Sequence, residues 1–154
     1  HGMVKSDWSA ERVRIEYQYS GWDDELGNTN PEAWAEVVEA VSRVFDNGEL
    51  ISGSNQENAS YPAGCCAERT ALFYAGAHYP DNAVTRLAII AFDPQGQVEQ
   101  ISPCGICRQV LLETEQRQGS PISVWLFGRE AVYCFPSAAS LLPFCFGKDS
   151  LFAH

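Results

Sequence analysis

The spacing of apolar and polar residues along this chain predicts helices that alternate with short strands. Helical patterns cover residues 66–76, with Gly76 as the expected end, and residues 103–117. Alternating or continuous apolar runs predict strands at 12–19, 49–54, 86–92, 122–127 and 131–135. Strands alternating with helices favour an α/β domain, so we expect a three-layer α/β/α fold on a mixed central sheet.

Residues 30–45 give a mixed signal. Asn30, Pro31 and Glu32 are typical of a helix start, with Asn as the N-cap, Pro in the first turn and Glu near the positive helix end. Residues 33–44 then combine a helical pattern with β-branched side chains, and periodicity leaves their conformation open. A turn is predicted at residues 46–48, which read Asp-Asn-Gly.

The composition indicates one globular domain with an acidic surface. The chain has 154 residues, 45% of them hydrophobic, and a formal net charge of −10. Its ten basic residues are scattered, whereas proteins that bind nucleic acid normally carry a basic stripe. An acidic surface repels the phosphate of a nucleotide but not an uncharged nucleoside. We therefore expect a small-molecule ligand and no nucleic acid.

Two short motifs carry the candidate chemistry, Cys66-Ala67-Glu68 and Pro103-Cys104-Gly105-Ile106-Cys107. Together they offer three thiolates and one carboxylate. A catalytic zinc ion keeps three protein ligands and leaves its fourth position to water, whereas a structural zinc ion has four protein ligands. Three cysteines therefore favour a catalytic Zn²⁺ site with Glu68 beside it.

The cysteines have other possible uses. A lone Cys-x-x-Cys can be a redox pair or half of a structural zinc site, and six cysteines can form three disulfides in a secreted protein. The chain shows neither a signal-peptide pattern nor an apolar run of membrane-spanning length, so we expect a reducing, cytoplasmic location. Three cysteines lack ligand-like spacing and are expected to be ordinary thiols: Cys65, Cys134 and Cys145. Cys65 is also a possible substitute ligand, because it directly precedes Cys66.

Both motifs lie at predicted helix starts. Free backbone N–H groups and the positive end of the helix dipole stabilise thiolates there. Three thiolates on one Zn²⁺ leave a net charge of about −1, which weakens the ability of the metal to acidify water. A nearby cation would compensate, and the candidates are Arg69 and Arg108.

The sequence around these motifs resembles the nucleoside cytidine deaminases. The similarity covers residues 46–147 and includes Asn55-Gln56-Glu57-Asn58-Ala59, the two cysteine motifs, and the segment 141–146. The resemblance implies the cytidine-deaminase-like version of the three-layer fold. It also implies one domain over residues 1–154, with 1–30 as an N-terminal extension whose predicted strand pairs with a sheet edge.

The resemblance further implies roles for individual residues. Zinc would be held by Cys66, Cys104 and Cys107, and Glu68 would move protons during hydrolytic deamination at C4 of cytosine. Arg69 resembles the arginine that hydrogen-bonds the ligating sulfurs. Substrate contacts are implied for four residues: Asn55 and Glu57 on the ribose hydroxyls, Ala67, and Phe146.

Phe146 is implied to stack on the base in a neighbouring subunit of a homotetramer, and a core phenylalanine is the alternative. The chain departs from the family at residues 30–41, where the usual base-stacking Phe is absent and Trp34 or Glu36 could replace it.

Three functions follow from these observations. The first is deamination of cytidine and 2′-deoxycytidine in pyrimidine salvage. The second is deamination of a modified cytosine nucleoside in antibiotic or specialised metabolism. The third is a catalytically silent zinc-binding subunit, against which the intact Glu68 argues.

Overall fold

A mixed four-stranded sheet lies at the centre of this computed structural model, which describes residues 4–5, 50–93, 95–147 and 150–151. In chain order the strands are β1 (Val4–Lys5), β2 (Arg86–Ile90), β3 (Phe92–Asp93), β4 (Gly96–Gln97), β5 (Ser123–Phe127) and β6 (Val132–Phe135). The sheet has the order β1-β6-β5-β2, and β3 pairs with β4 in a separate antiparallel ribbon. The pattern predicted one continuous strand over 86–92, which is divided here between β2 and β3.

The pairing of the strands confirms the expected α/β class with a mixed sheet. β2 runs parallel to β5, with Leu87 opposite Val124. β5 and β6 are antiparallel neighbours, as a short connection between consecutive strands favours. β1 is antiparallel to β6 at the edge of the sheet.

Burial along β2 shows that both faces of the sheet are covered at this strand. Successive strand residues point to opposite faces, yet the four residues Leu87 to Ile90 are all buried. Continuous apolar strands of this kind are typical of parallel pairs that are packed on both faces. Leu111 and Ile122 join this strand in the main hydrophobic core.

Two helices carry the cysteine motifs: α1 (Ala67–His78) and α2 (Gly105–Gln118). The prediction that α1 ends at Gly76 is wrong. Gly76 lies within the helix, where a Cβ atom would meet nothing within 4 Å apart from the adjacent backbone of the helix itself. The helix ends at His78 because Pro80 disfavours helical geometry at the residue before it, and Tyr79 already has φ −132°. α2 was predicted over 103–117 and runs from Gly105 to Gln118; it ends where Gly119 adopts the left-handed conformation at φ 70°.

Some predicted elements lie elsewhere or outside the described residues. No strand is assigned over 50–54, although 49–54 was predicted as one; Gln56 and Cys65 form a single antiparallel bridge. The strand at 12–19, the helix start at 30–32 and the turn at 46–48 fall outside the described part of the chain. Among the described helices, none is long and apolar enough to cross a membrane.

Candidate active site at the first turns of two helices

Three cysteine thiols meet where α1 and α2 begin. The Sγ atom of Cys66 lies 3.7 Å from that of Cys104, which lies 3.5 Å from that of Cys107. All three sulfurs fall within 4.8 Å of one another. The fold therefore brings together residues that are 38 positions apart in the chain.

The spacing of these sulfurs fits a tetrahedral zinc ion. With Zn–S bonds of about 2.3 Å, two ligands of a tetrahedral zinc lie about 3.8 Å apart. The two measured distances are close to this value and far longer than the disulfide bond length of about 2.0 Å. None of the six cysteines, all of which lie in the described part of the chain, forms a disulfide, so the disulfide alternative does not apply. The residues present thus fit Zn²⁺.

Local structure at the helix starts explains this convergence. Cys66 and Cys104 are the N-cap residues of α1 and α2, and both have extended backbone conformations with φ near −65°. Each motif thereby places a thiol directly before a free helix end, as the sequence indicated.

The acid–base properties of the thiols reflect their burial. Burial raises the pKa of Cys66 and, with the negative charge of Glu68, that of Cys107. At Cys104, burial is outweighed by hydrogen bonds from the backbone N–H and thiol of Cys107, so that its pKa is lowered. Zinc binding requires thiolates, and metal uptake therefore releases protons at this cluster.

Glu68 lies in the first turn of α1 with its carboxylate directed inward. The residue is only 6% exposed, and its Oε2 atom is buried without a hydrogen-bond partner. Burial raises the pKa of Glu68, while its own backbone N–H and the Cys107 thiol act to lower it. A buried carboxylate that lacks a partner costs free energy, so this oxygen is suited to a ligand or a water molecule.

Arg69 supplies a cation to the thiol cluster. Its Nη2 atom donates to the carbonyl oxygen of Gly64 at 3.2 Å and approaches the Cys66 sulfur at 4.0 Å. Burial disfavours the charged guanidinium, but the Cys66 and Cys107 thiols hold its pKa above the usual value.

Asn55 is tied directly to the start of α1. Its side chain is buried, and its Oδ1 atom accepts a hydrogen bond from the backbone N–H of Ala67 at 3.1 Å. Ala67 itself is 3% exposed. Glu57, two residues further along, is exposed. The predicted ribose-binding residues thus lie on a segment attached to the helix that carries Glu68.

Gly53 explains how this segment reaches the helix. A Cβ atom at this position would lie 2.6 Å from the carbonyl oxygen of Ala67 and 2.8 Å from the backbone nitrogen of Ala71. Both contacts are with helix backbone that cannot move aside. Only glycine lets residues 50–55 lie flat on α1, a role that the sequence did not reveal.

Arg108 was the second candidate for the cation beside the sulfurs, but its guanidinium binds backbone and hydroxyl oxygens instead. Its Nε atom donates to the carbonyl oxygen of Pro103 at 2.8 Å, and Nη2 donates to Ser102 Oγ at 2.7 Å. Its Nη1 atom donates to the carbonyl oxygen of Leu141 at 3.1 Å. Of the two candidate cations, Arg69 is therefore the one that faces a thiol.

The remaining predicted residues lie at the edge of the site. Phe146 is 58% exposed, so it is not a core side chain of the single chain. Cys65 is absent from the candidate metal group, and its thiol donates to the carbonyl oxygen of Cys66 at 3.6 Å. Trp34 and Glu36 lie outside the described residues.

Comparisons with known proteins agree with this geometry. The family described as "Cytidine and deoxycytidylate deaminase zinc-binding region" matches residues 21–119. A cytidine deaminase from Sporosarcina psychrophila is 38% identical over 106 residues, which is 69% of this chain and 72% of that protein. One from Mycobacterium tuberculosis is 32% identical over 114 residues, 72% of this chain and 74% of that protein.

A solved structure supports the same assignment. A crystal structure of a mutant cytidine deaminase from Mycobacterium tuberculosis superimposes with a TM-score of 0.50 at 25% sequence identity. The match covers 70% of this chain and 75% of that chain. The family match spans both cysteine motifs, which the structure brings together with tetrahedral spacing. This chain therefore belongs to the cytidine and deoxycytidylate deaminase family and carries its zinc-binding region.

Proposed function

We propose that this protein catalyses the hydrolytic deamination of cytidine and 2′-deoxycytidine to uridine and 2′-deoxyuridine, in pyrimidine salvage. One observation carries the proposal: the unpartnered Oε2 atom of Glu68 is buried beside three thiols that are spaced for zinc. A silent zinc-binding subunit would have no use for a desolvated carboxylate at this position. The names of the relatives support the same reaction.

Glu68 is the proton carrier in this proposal. When bound by Cys66, Cys104 and Cys107, zinc supplies Lewis-acid activation of the attacking water. The Glu68 carboxylate takes one proton from that water and gives it to N3 of the base, then takes the second proton from the oxygen added at C4 and transfers it to the departing amine. Its raised pKa suits this role, because a carboxyl group that donates and accepts in turn must hold a proton part of the time.

Asn55 and Glu57 are proposed to bind the ribose hydroxyls. Because the Oδ1 atom of Asn55 accepts from Ala67, the amide NH₂ group is the part of this side chain left to meet a hydroxyl oxygen. Glu57 would then accept a hydrogen bond from a ribose hydroxyl, so the two residues form a complementary donor and acceptor. Ala67 stays a proposed substrate contact through its place at the start of the helix.

A modified cytosine nucleoside is the second candidate substrate. The motivation is residues 30–41, which lack the stacking Phe of the family. If Trp34 forms the wall of the base pocket, Trp34→Ala should raise KM for every pyrimidine nucleoside. If Glu36 does so, Glu36→Gln should change the ranking among substrates. Unchanged KM values and ranking in both variants would show that this segment does not contact the base.

The assembly proposed is a homotetramer in the cytoplasm, with Phe146 stacking on the base in a neighbouring subunit. The exposure of Phe146 and of Phe144, at 58% and 98%, supports contact with another chain, because large apolar side chains are seldom left in water together.

The decisive experiment combines metal analysis with a substrate panel. We expect one zinc ion per chain and ammonia release from cytidine and 2′-deoxycytidine, measured beside cytosine, cytidine monophosphate and base-modified cytidines. Preference for a modified base would favour the second substrate class. Zinc binding without ammonia release from any compound would leave only the silent subunit.

A further inference from the structure

The C-terminal segment is attached to α2 at points that bracket an exposed aromatic loop. Arg108 Nη1 donates to the carbonyl oxygen of Leu141, and Gln109 Nε2 donates to the carbonyl oxygen of Phe146 at 2.8 Å. Residues 141–146 run from the first attachment to the second and form the aromatic loop. Both of its ends are therefore fixed to adjacent residues of one helix.

This attachment lies next to the metal ligands. Arg108 directly follows Cys107 and lies four residues after Cys104, about 6 Å along the helix axis. The same guanidinium also binds the carbonyl oxygen of Pro103 and the hydroxyl of Ser102, the two residues that lead into Cys104. One side chain thus holds residues 102–104, here called the zinc-binding loop, and the start of the aromatic loop.

The side chains of the aromatic loop contrast with its fixed backbone. Leu141, where the loop begins, is buried, whereas Phe144 and Phe146 are exposed. Gly147 closes the segment by packing on Gln116, where a Cβ atom would lie 2.7 Å from Nε2. The backbone is held at both ends while the rings point into solvent, as a segment that presents aromatic side chains to a ligand requires.

We propose that Arg108 is a positioning residue that sets the place of the aromatic loop relative to the zinc-binding loop. Its effect on substrate binding, through Phe146, rests on the proposed function; its effect on the backbone does not. Only arginine fits this role, because its planar group directs donors toward three separate acceptors, whereas lysine offers one ammonium group.

The first test is amide hydrogen exchange in the zinc-loaded, full-length chain. Arg108→Lys should retain one zinc ion, and exchange over residues 141–147 should become roughly tenfold faster, as expected for the loss of a hydrogen bond from a charged donor. Arg117→Lys is the control, because Arg117 is an exposed arginine on the same helix. Unchanged exchange over residues 141–147 in Arg108→Lys would overturn the proposal.

Ser102→Ala serves as a milder variant if Arg108→Lys does not fold. It removes one of the three acceptors of Arg108 and should give a smaller increase in exchange over the same residues. No increase would count against a shared role for the guanidinium. If the protein releases no ammonia from any nucleoside, only the proposed function is refuted. Both exchange measurements still test the positioning role of Arg108 in that case.

Steady-state kinetics distinguish a misplaced aromatic loop from a general loss of structure in Arg108→Lys. Arg108→Lys should raise KM by roughly tenfold and change kcat by less than about threefold. In a Phe146→Ala background the same substitution should change KM by less than about twofold, because the side chain through which Arg108 acts is absent. Additive effects on KM in the double variant, or a fall in kcat at constant KM, would refute the link to the aromatic loop.

Discussion

Glu68 is the residue on which the proposed chemistry of this site depends. An alternative explanation for a buried glutamate is a structural hydrogen-bond network, as Glu115 shows elsewhere in the same chain. Glu68 lacks such a network around Oε2, although the helix start and a thiol lie close by. Its environment is therefore that of a reactive group rather than a structural one.

Replacing Glu68 with Gln should abolish turnover while leaving the metal site intact. The amide keeps the shape of the side chain but cannot carry protons, so kcat should fall by about 10²- to 10⁴-fold or more. Ammonia release and zinc content measure the two effects. Exposed Glu130→Gln is the matched control and should behave as the original protein. Substantial turnover in Glu68→Gln would refute the proton-carrier role.

Arg69 should affect the metal more than the fold. Its guanidinium lies 4.0 Å from the Cys66 sulfur and offsets the excess negative charge of three thiolates. Arg69→Ala should weaken zinc binding by about 10- to 100-fold, the usual effect of losing a partner of the ligands. Competition with a chelator measures the zinc affinity. The affinity of Arg69→Lys should lie between that of the original protein and that of Arg69→Ala. Equal zinc affinity in all three proteins would contradict the assignment.

At the scale of elements, the contact between residues 50–55 and α1 positions the predicted ribose-binding residues. Gly53→Ala should lower the free energy of unfolding by about 1–3 kcal/mol, because the new methyl group would overlap helix backbone. It should also raise KM, since Asn55 would shift with the segment.

The matched control for Gly53→Ala is Gly76→Ala. Gly76 lies in the same helix with open space around its Cα atom, so alanine there should stabilise the protein by about 0.5–1 kcal/mol. Denaturant unfolding and KM for cytidine measure both variants. If Gly53→Ala unfolds at the same denaturant concentration as the original protein, the close approach of the segment is not required.

Glu115 joins three elements at the other end of α2. Its Oε1 atom accepts from the backbone N–H groups of Ile122 and Ala138, at 2.6 and 2.7 Å. Its Oε2 atom accepts from the hydroxyl of Ser137 and the backbone N–H of Ala139, at 2.9 and 3.1 Å. The carboxylate thereby connects α2 to the residue before β5 and to the short helix Ala138–Leu141.

Glu115→Gln should destabilise the fold despite its equal size. The amide NH₂ group would face hydrogen-bond donors, leaving buried N–H groups without an acceptor, so the free energy of unfolding should fall by about 2–3 kcal/mol. Urea unfolding measures the change. Exposed Glu113→Gln on the same helix should change stability by less than about 0.5 kcal/mol. Similar values for the two variants would show that the network contributes little.

At the scale of the whole molecule, the proposed homotetramer predicts an active site that is shared between chains. We expect a homotetramer by sedimentation, in which each chain uses Phe146 of a neighbour. Alone, Glu68→Gln should have almost no turnover and Phe146→Ala should be weakly active. After co-refolding in equal amounts, up to about one quarter of the sites would combine an intact Glu68 with a neighbour's intact Phe146.

Recovered activity in the mixture would therefore demonstrate sharing between chains. A fully active monomer at working concentration, or no gain in the mixture over the separate variants, would contradict it. Refolding each variant alone under the same conditions provides the baseline.

The sequence by itself determined the metal site and the fold class. Cys66 and Glu68 share one helix start, and Cys104 and Cys107 share another, so each motif predicts its own local geometry. Alternating strands and helices sufficed for the α/β class. Gly76 was misread because glycine signals a helix end only where the chain turns, and here the helix continues to His78.

Only the tertiary structure decided which residues support that site. Arg108 binds Leu141 across 33 positions, and Glu115 binds Ala138 across 23. The need for glycine at position 53 arises from its distance to the backbone of Ala67 and Ala71. Such contacts depend on where separate elements pack, and a periodic pattern specifies which face of an element is buried without specifying its neighbour. This is why the sequence predicted the cysteines and the glutamate of the site but not the contacts that Arg108, Glu115 and Gly53 make around it.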